Sequence, residues 1–349
     1  MKETTIYLIR HAEAEGNLYR RIHGQYDSNV TANGLRQIEA LKARFLDVPI
    51  DAVYASDLNR TVRTARALAE PKGLTIETDA RFREVGIGVW EDVPFGELAQ
   101  TDAKQMKFFN YDPPKWRVEG AERFPAYTER FLEALKEKAE AHRGGTIAVF
   151  AHGCVLSQSL GILFPEKEIC HMDNTAVTKL RWDGTFLLDL LGDNSHLSEE
   201  ISTLAKQNWW RGKDAPPDRN LWFMPYESEI DWYLQLCDDS VPVAPMAVIH
   251  FAMLDQNAVG LVQLDPQRDQ EEKVGFVDYI GLQKKLRGQR LGIQLLGEAV
   301  SYYRNLGREK LRVCLEGSFA KYRDWFLHYG FEPSADGCYD LDIRVPNGK

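Results

Sequence analysis

Thr5-Ile-Tyr-Leu-Ile-Arg-His-Ala-Glu-Ala-Glu-Gly-Asn17 is an apolar run that stops abruptly at Arg10-His11 and continues in small and polar residues. Four to eight apolar residues bounded in this way suit a buried central strand, and in parallel sheets ligands bind outside the carboxyl ends of the strands. Arg10 and His11 fall at that end.

Working outward, residues 31–35 start a helix on which Leu35, Ile38, Leu41 and Phe45 recur at three-to-four spacing. Residues 52–55 read as a second strand, residues 56–60 are polar, and residues 61–69 are helical, so Arg60 lies where a helix start favours an anion. The irregular, glycine-bearing stretch 82–90 carries Glu84. A helix over 127–141 stops at Gly144-Gly145, and the strand 146–151 ends in His152-Gly153. Strands alternating with helices imply a parallel sheet with right-handed crossovers that gathers Arg10, His11, Arg60 and His152 on one rim.

Two arginines offer forked donors that match a phosphate dianion, each charge-assisted bond contributing about 1.5–3 kcal/mol. A neutral imidazole is a competent nucleophile, and covalent capture would split phosphoester cleavage into formation and hydrolysis of a phosphohistidine. Glu84 could protonate the leaving oxygen and later activate water. The bland reading of Glu84 is a surface salt bridge, because Arg81 and Arg83 flank it.

The chain has 349 residues, enough for two domains, with 44% apolar and 27% charged content. A net charge of −9 argues against a nucleic-acid or anionic-membrane surface. No apolar run approaches the roughly twenty residues that span a bilayer and no signal peptide is visible, so the cytoplasm is the expectation. Cys154, Cys170, Cys237, Cys314 and Cys338 show no metal-ligand or disulfide-framework spacing and are expected as reduced core thiols, with Cys154 filling space beside the site. The eight histidines show no H-E-x-x-H spacing, which leaves a metal-dependent hydrolase a distant reading.

Arg10-His11-Ala12-Glu13 with Asn17 resembles the Arg-His-Gly signature of the histidine phosphatase superfamily, which includes phosphoglycerate mutases and α-ribazole phosphatases. Thr31, Gly34 and Gln37, then Ser56, Leu58, Arg60, Thr64 and Ala65, match two further elements in order. The segment 84–91 resembles the acid-bearing segment, His152-Gly153 the second histidine, and residues 174–177 the strand after it. The resemblance, over residues 4–192, implies a three-layer α/β/α phosphoglycerate mutase-like domain. It implies His11 as the phosphorylated nucleophile, Glu84 as proton donor, and Arg10, Asn17, Arg60, His152 and Gly153 around the phosphate, with no metal. Ala12 stands where the family has glycine, which is tolerable provided φ is negative. Residues 92–122 carry few of the side chains a mutase requires, so a phosphatase is favoured over mutase-type phosphoryl transfer.

Residues 212–218 read as a linker, pinned by Trp209-Trp210 to one domain or to the interface between the two. A strand from Leu221, a helix near 228–238 and strands over 246–254, 258–264 and 274–282 follow as a meander. A basic turn, Lys284-Lys-Leu-Arg-Gly-Gln-Arg-Leu-Gly292, then runs into an amphipathic helix, where backbone N–H groups suit a pyrophosphate. With the strand 310–315, a helix and Tyr329-Gly-Phe-Glu-Pro333, this order resembles the GNAT N-acetyltransferases, an α+β fold, over residues 221–345. The resemblance implies acetyl-CoA, its pyrophosphate on Arg287, Gly288, Gln289, Arg290, Leu291 and Gly292, and its pantetheine arm on backbone from Ile280 to Leu282. Arg290 replaces a glycine and Phe326 the proton-donating tyrosine of many members, so a non-catalytic GNAT module is the alternative. The expected division is a phosphatase domain over 1–197, a linker over 198–220 and a GNAT domain over 221–349. Small-molecule phosphomonoesters and acetyl-CoA are the expected partners, and a homodimer is left open.

Overall fold

The computed structural model describes residues 2–169, 171–208, 210–211, 218–226, 231–237, 240–242, 247–268, 270–334 and 337–346. β1 (Thr4–Arg10) is followed by the short α1 (Glu15–Tyr19) and by α2 (Ala32–Arg44), whose start is capped by the Thr31 hydroxyl accepting from Gly34 N–H. Then come β2 (Ala52–Ala55), α3 (Asn59–Lys72), β3 (Ile76–Thr78), α4 (Phe95–Thr101), α5 (Ala103–Tyr111), α6 (Ala126–Ala141), β4 (Thr146–Ala151), α7 (Gly153–Leu163), β5 (Val177–Trp182) and β6 (Phe186–Asp193). They form a six-stranded sheet in the order β3-β2-β4-β1-β5-β6.

Alternation along the strands builds the layers. Ile6, Leu8, Ile147 and Val149 face Phe131 and Leu135 of α6 and Leu156 and Leu160 of α7. Ile9, Ala148 and Phe150 face Ile38 and Leu41 of α2 and Ala65 and Leu68 of α3. β1, β2, β3 and β4 are parallel, whereas β5 and β6 are antiparallel to their neighbours. The wholly parallel sheet expected from the sequence is thus a mixed one. The reason lies at the carboxyl end of β1, where Thr175 N–H donates to Arg10 C=O and Arg10 N–H to Ala176 C=O, so β5 must set off in the opposite direction.

The second sheet comprises β7 (Trp222–Pro225), β8 (Val248–Leu254), β9 (Asn257–Asp265), β10 (Val274–Leu282), β11 (Lys310–Cys314), β12 (Glu332–Pro333) and β13 (Cys338–Asp342), with α8 (Gly292–Asn305) and α9 (Arg323–His328). Its order is β12-β13-β11-β10-β9-β8-β7. β10 and β11 are parallel and pair only over Val274–Val277 with Lys310–Val313. A register shift of β10 against β9, between Val277 and Tyr279, accompanies the end of that pairing, and β10 runs on to Leu282 without β11.

The two sheets are not separated by a polar gap. Leu18 and Tyr19 of α1 sit in the same apolar core as Leu295, Leu296 and Ala299 of α8. Gly297 is required there, since a Cβ would lie 2.4 Å from Cβ of Tyr19.

Two further expectations change. Cys314 and Cys338 oppose each other on β11 and β13 with Cα atoms 4.2 Å apart and are joined as a disulfide, so these two are not reduced thiols. The pair is made by the register of β11 on β13, which no spacing of cysteines along the chain displays. The expected helix near 228–238 is a 3-10 segment, Asp231–Gln235, within the described residues. Trp210 does pin its segment, donating from Nε1 to Leu204 C=O at 2.7 Å, while Cys170, Trp209 and residues 212–217 lie outside the described residues. No helix among the described residues is long and apolar enough to cross a membrane.

Candidate active site

The carboxyl ends of β1, β2 and β4 bring Arg10, His11, Arg60 and His152 onto one rim, as the strand-end argument requires. The imidazoles of His11 and His152 lie 5.2 Å apart, centroid to centroid, and both residues are buried. Nδ1 of His11 is 2.7 Å from Ala12 C=O. A carbonyl only accepts, so Nδ1 carries the proton and Nε2 keeps its lone pair for the site. Ala12 has negative φ, so alanine is unstrained in the signature's glycine position. Its N–H is held by Thr64 Oγ1 at 2.9 Å.

Arg60 is 2% exposed and donates from Nη1 to Tyr26 C=O (2.9 Å) and from Nη2 to Gly24 C=O (2.6 Å). Arg10 donates from Nη1 to Met172 C=O at 2.6 Å. Gly153 makes room for this guanidinium, because a Cβ would stand 3.1 Å from Arg10 Nε. Burial, followed by the charges of Arg60 and Arg10, holds the His11 pKa well below the ordinary histidine range. His152 is displaced in the same direction by burial, Arg60, His11 and Arg10. Both rings are therefore neutral at neutral pH.

Several buried polar atoms here have no hydrogen-bond partner among the described residues: Nε of Arg10, both ring nitrogens of His152 and Oδ1 of Asn174. Such atoms are costly unless something binds them. Asn174 escaped the sequence reading as a site residue, although it heads a segment already matched by resemblance. Its Nδ2 donates to His11 C=O at 3.0 Å and to Oδ1 of Asn17 at 3.3 Å. Asn17 Oδ1 also accepts from Ala14 N–H at 3.1 Å, so Asn17 organises the loop at the rim.

Glu84 is not a surface salt bridge. Arg81 is spent on Asp79 and Glu137, and Arg83 on Asp57, while Glu84 is 9% exposed. Its carboxylate accepts from Val155 N–H (2.8 Å) and Cys154 N–H (2.9 Å) in the first turn of α7 and from Val85 N–H (3.0 Å). The two oxygens of a carboxyl group offer about four hydrogen-bonding positions, so one remains beyond these three to carry or receive a proton. Burial and Glu84 push the Cys154 thiol well above its usual range, which disfavours Cys154 as a nucleophile. The start of α3 is likewise occupied, since Asn59 N–H donates to both carboxylate oxygens of Asp27 at 3.0 Å. Arg60's contribution is thus its side chain and not the helix start from which it springs.

At the head of α8 no side chain among the described residues caps the helix, and Gly288 and Arg290 both have positive φ, 75° and 60°. Ile280 and Leu282 lie on the part of β10 beyond its pairing with β11. Arg287 donates from Nε to Leu282 C=O (2.9 Å) and from Nη1 to the Tyr322 hydroxyl (2.9 Å). Gln289 joins Arg219 and Lys285 C=O, and Arg290 donates to Lys206 C=O at 3.0 Å. Leu291 is buried as the residue before the helix, and Gly292 opens it. Phe326 is buried in the core beside Phe331.

With this rim assembled, the chain is placed by comparison: it belongs to the histidine phosphatase superfamily (branch 1), whose family model matches residues 6–193. A second family model, the acetyltransferase (GNAT) family, matches residues 209–331. The probable phosphoglycerate mutase GpmB of Klebsiella pneumoniae is 30% identical over 202 residues, covering 55% of this chain and 94% of that protein. The GpmB of Yersinia pestis matches to the same extent, 30% over 202 residues. YhfR of Bacillus stearothermophilus superposes with a TM-score of 0.53 at 31% identity, covering 56% of this chain and 100% of its own. A phosphoglycerate mutase from Bacillus anthracis shares the fold, with a TM-score of 0.53 at 21% identity over 56% of this chain and 95% of its own.

Proposed function

We propose that the first half is a phosphomonoesterase that works through a phosphohistidine, with no metal, and that the second is a GNAT module that binds acetyl-CoA and N-acetylates a small-molecule amine. The first reading is carried by the unpartnered buried atoms of Arg10, His152 and Asn174 around a His11 whose Nε2 is left available. The phosphoryl group lies among Arg10, Arg60, Asn17, His152 and the Gly153 backbone. Nε2 of His11 attacks phosphorus as the ester P–O bond breaks, and the leaving oxygen takes its proton from Glu84. The carboxylate then takes a proton from water, the hydroxide attacks phosphorus, the P–N bond breaks, and inorganic phosphate leaves. The two guanidiniums, fixed beforehand by Met172, Gly24 and Tyr26 carbonyls, stabilise the charge that grows on the phosphoryl oxygens.

Hydrolysis is favoured over mutase-type transfer because residues 92–122 carry few of the side chains a mutase requires. The name phosphoglycerate mutase belongs to the relatives.

In the GNAT module the divergence of β10 from β11 suits the pantetheine arm, and the start of α8 with Arg287 and Arg290 suits the pyrophosphate. Acetyl-CoA supplies the acetyl group when bound. Because Phe326 has no proton to give, acyl transfer is the weaker half of this reading, and a binding-only module is its alternative.

The full chain should release phosphate from an aryl phosphate in the presence of a chelator, and acid-labile phosphoprotein should be trapped on quenching. His11→Asn should lower turnover by roughly six orders of magnitude, as loss of a nucleophile does. Unchanged turnover in that variant, or dependence on a metal, would overturn the reading. Calorimetry with acetyl-CoA tests the GNAT half.

A further inference from the structure

Between the phosphate rim and α8 runs a buried chain of polar side chains that the proposed chemistry does not use. Arg21, in the loop after α1, donates from Nε to Asp92 (2.9 Å), from Nη1 to Glu298 (2.8 Å) and from Nη2 to the Ser301 hydroxyl (3.0 Å). The Ser301 hydroxyl donates to the other Asp92 oxygen at 2.6 Å. Asp92 is also 2.9 Å from His23 Nε2, and Glu298 is 2.7 Å from His250 Nδ1. The side chains of Arg21 and Asp92 are 9% and 10% exposed, and every charge in the set faces an opposite charge or a polar partner. The group thus joins two elements of the first half, the 20–23 loop and Asp92, to two of the second, α8 and β8.

The end of this chain bears on the phosphate cradle. His23 is followed by Gly24, Gln25 and Tyr26, and the Gly24 and Tyr26 carbonyls are the two acceptors that orient Arg60. His23 packs on Gly16, next to Asn17, since a Cβ on Gly16 would lie 2.6 Å from His23 Nδ1. A parallel strut lies alongside, where both Nη atoms of Arg304 of α8 hold the Glu15 carboxylate at 2.7 and 2.8 Å, and Glu15 in turn accepts from Asn29 N–H at 3.1 Å. The segment that aims Arg60 is therefore braced on both sides by α8.

We propose that Glu298 and Ser301, on the GNAT-like half, are positioning residues of the phosphatase site, acting through Arg21, Asp92 and His23 on the carbonyls that hold Arg60. This rests on the phosphatase reading only for its functional meaning. The quantity it changes is affinity for a phosphate-like anion, which is measurable without turnover. A buried network transmits a loss because removing one member leaves its partners unsatisfied.

The test is calorimetry of the full-length protein with inorganic phosphate and with orthovanadate, alongside thermal melts. Ser301→Ala and Glu298→Gln should each weaken binding of both anions on the order of tenfold, below the roughly hundredfold that an ångström of misplacement can cost. Gln294→Met, which removes α8's hold on Leu221 N–H and Arg219 C=O but touches none of the network, should bind as wild type. Should Ser301→Ala fail to melt cooperatively, Glu298→Gln, which keeps the volume, decides alone. Affinities within twofold of wild type would overturn the proposal, and so would an equal loss in Gln294→Met, because the effect would then be a general loosening of the interface. Failure of the phosphatase reading would show separately, as anion binding without phosphate release by the wild type.

Discussion

The rim of the first sheet and the turn before α8 are made of similar materials, arginines beside the start of a helix, but the protein has used them differently. On the rim, the helix starts are filled by Glu84 and Asp27, while buried atoms of Arg10, His152 and Asn174 have no partner among the described residues. At the turn the relation is reversed. The start of α8 has no side-chain cap among the described residues, and Arg287, Gln289 and Arg290 are engaged with Leu282, Tyr322, Arg219, Lys285 and Lys206. A site whose side chains are pre-aimed and unsatisfied is organised to receive an anion; one whose side chains already have partners must exchange them first.

This contrast can be broken most sharply at Glu84. If the rim works as pre-aimed machinery, Glu84→Gln should lower turnover of alkyl phosphates by about 10²–10⁴-fold, with a much smaller loss for aryl phosphates whose leaving group needs no proton. Equal losses for both classes would remove the general-acid role. A moderate effect is expected from acid. Because His11 and His152 are held below their ordinary 6.5, the folded chain binds fewer protons than the unfolded one once pH falls past that value. Stability present at pH 7 should then be lost as pH drops from about 6.5. Thermal melts at pH 7 and pH 5 should show a smaller drop in His152→Asn than in wild type, and identical drops would sink the assignment. The smallest effect should come from the turn. Arg290→Gly relieves a left-handed backbone worth about 1–2 kcal/mol but gives up the bond to Lys206, so stability should move by under about 1 kcal/mol. Calorimetry should show tighter acetyl-CoA binding by the glycine variant; weaker binding would mean that the arginine's charge matters more than close backbone approach.

Much of the rim was legible in the sequence because strand ends are marked by a change of composition, and β1 and β4 each deliver their histidine at such a boundary. Glu84 was ambiguous for a physical reason. Its neighbours Arg81 and Arg83 are adjacent in sequence, but the partners that matter, the first amides of α7, lie seventy positions on and are backbone groups that no residue pattern displays. The antiparallel course of β5 was hidden similarly, since apolar alternation encodes burial and not direction. Arg21, Asp92 and Ser301 were invisible as a set because they stand far apart in the sequence and meet only where the two halves pack together.

The interlock of Tyr19 with Gly297 has a consequence for handling the molecule. Since α1 and α8 share one apolar core, a protease cut between residues 208 and 218 should leave a nicked protein whose two pieces elute together, and the halves cannot be treated as interchangeable cassettes.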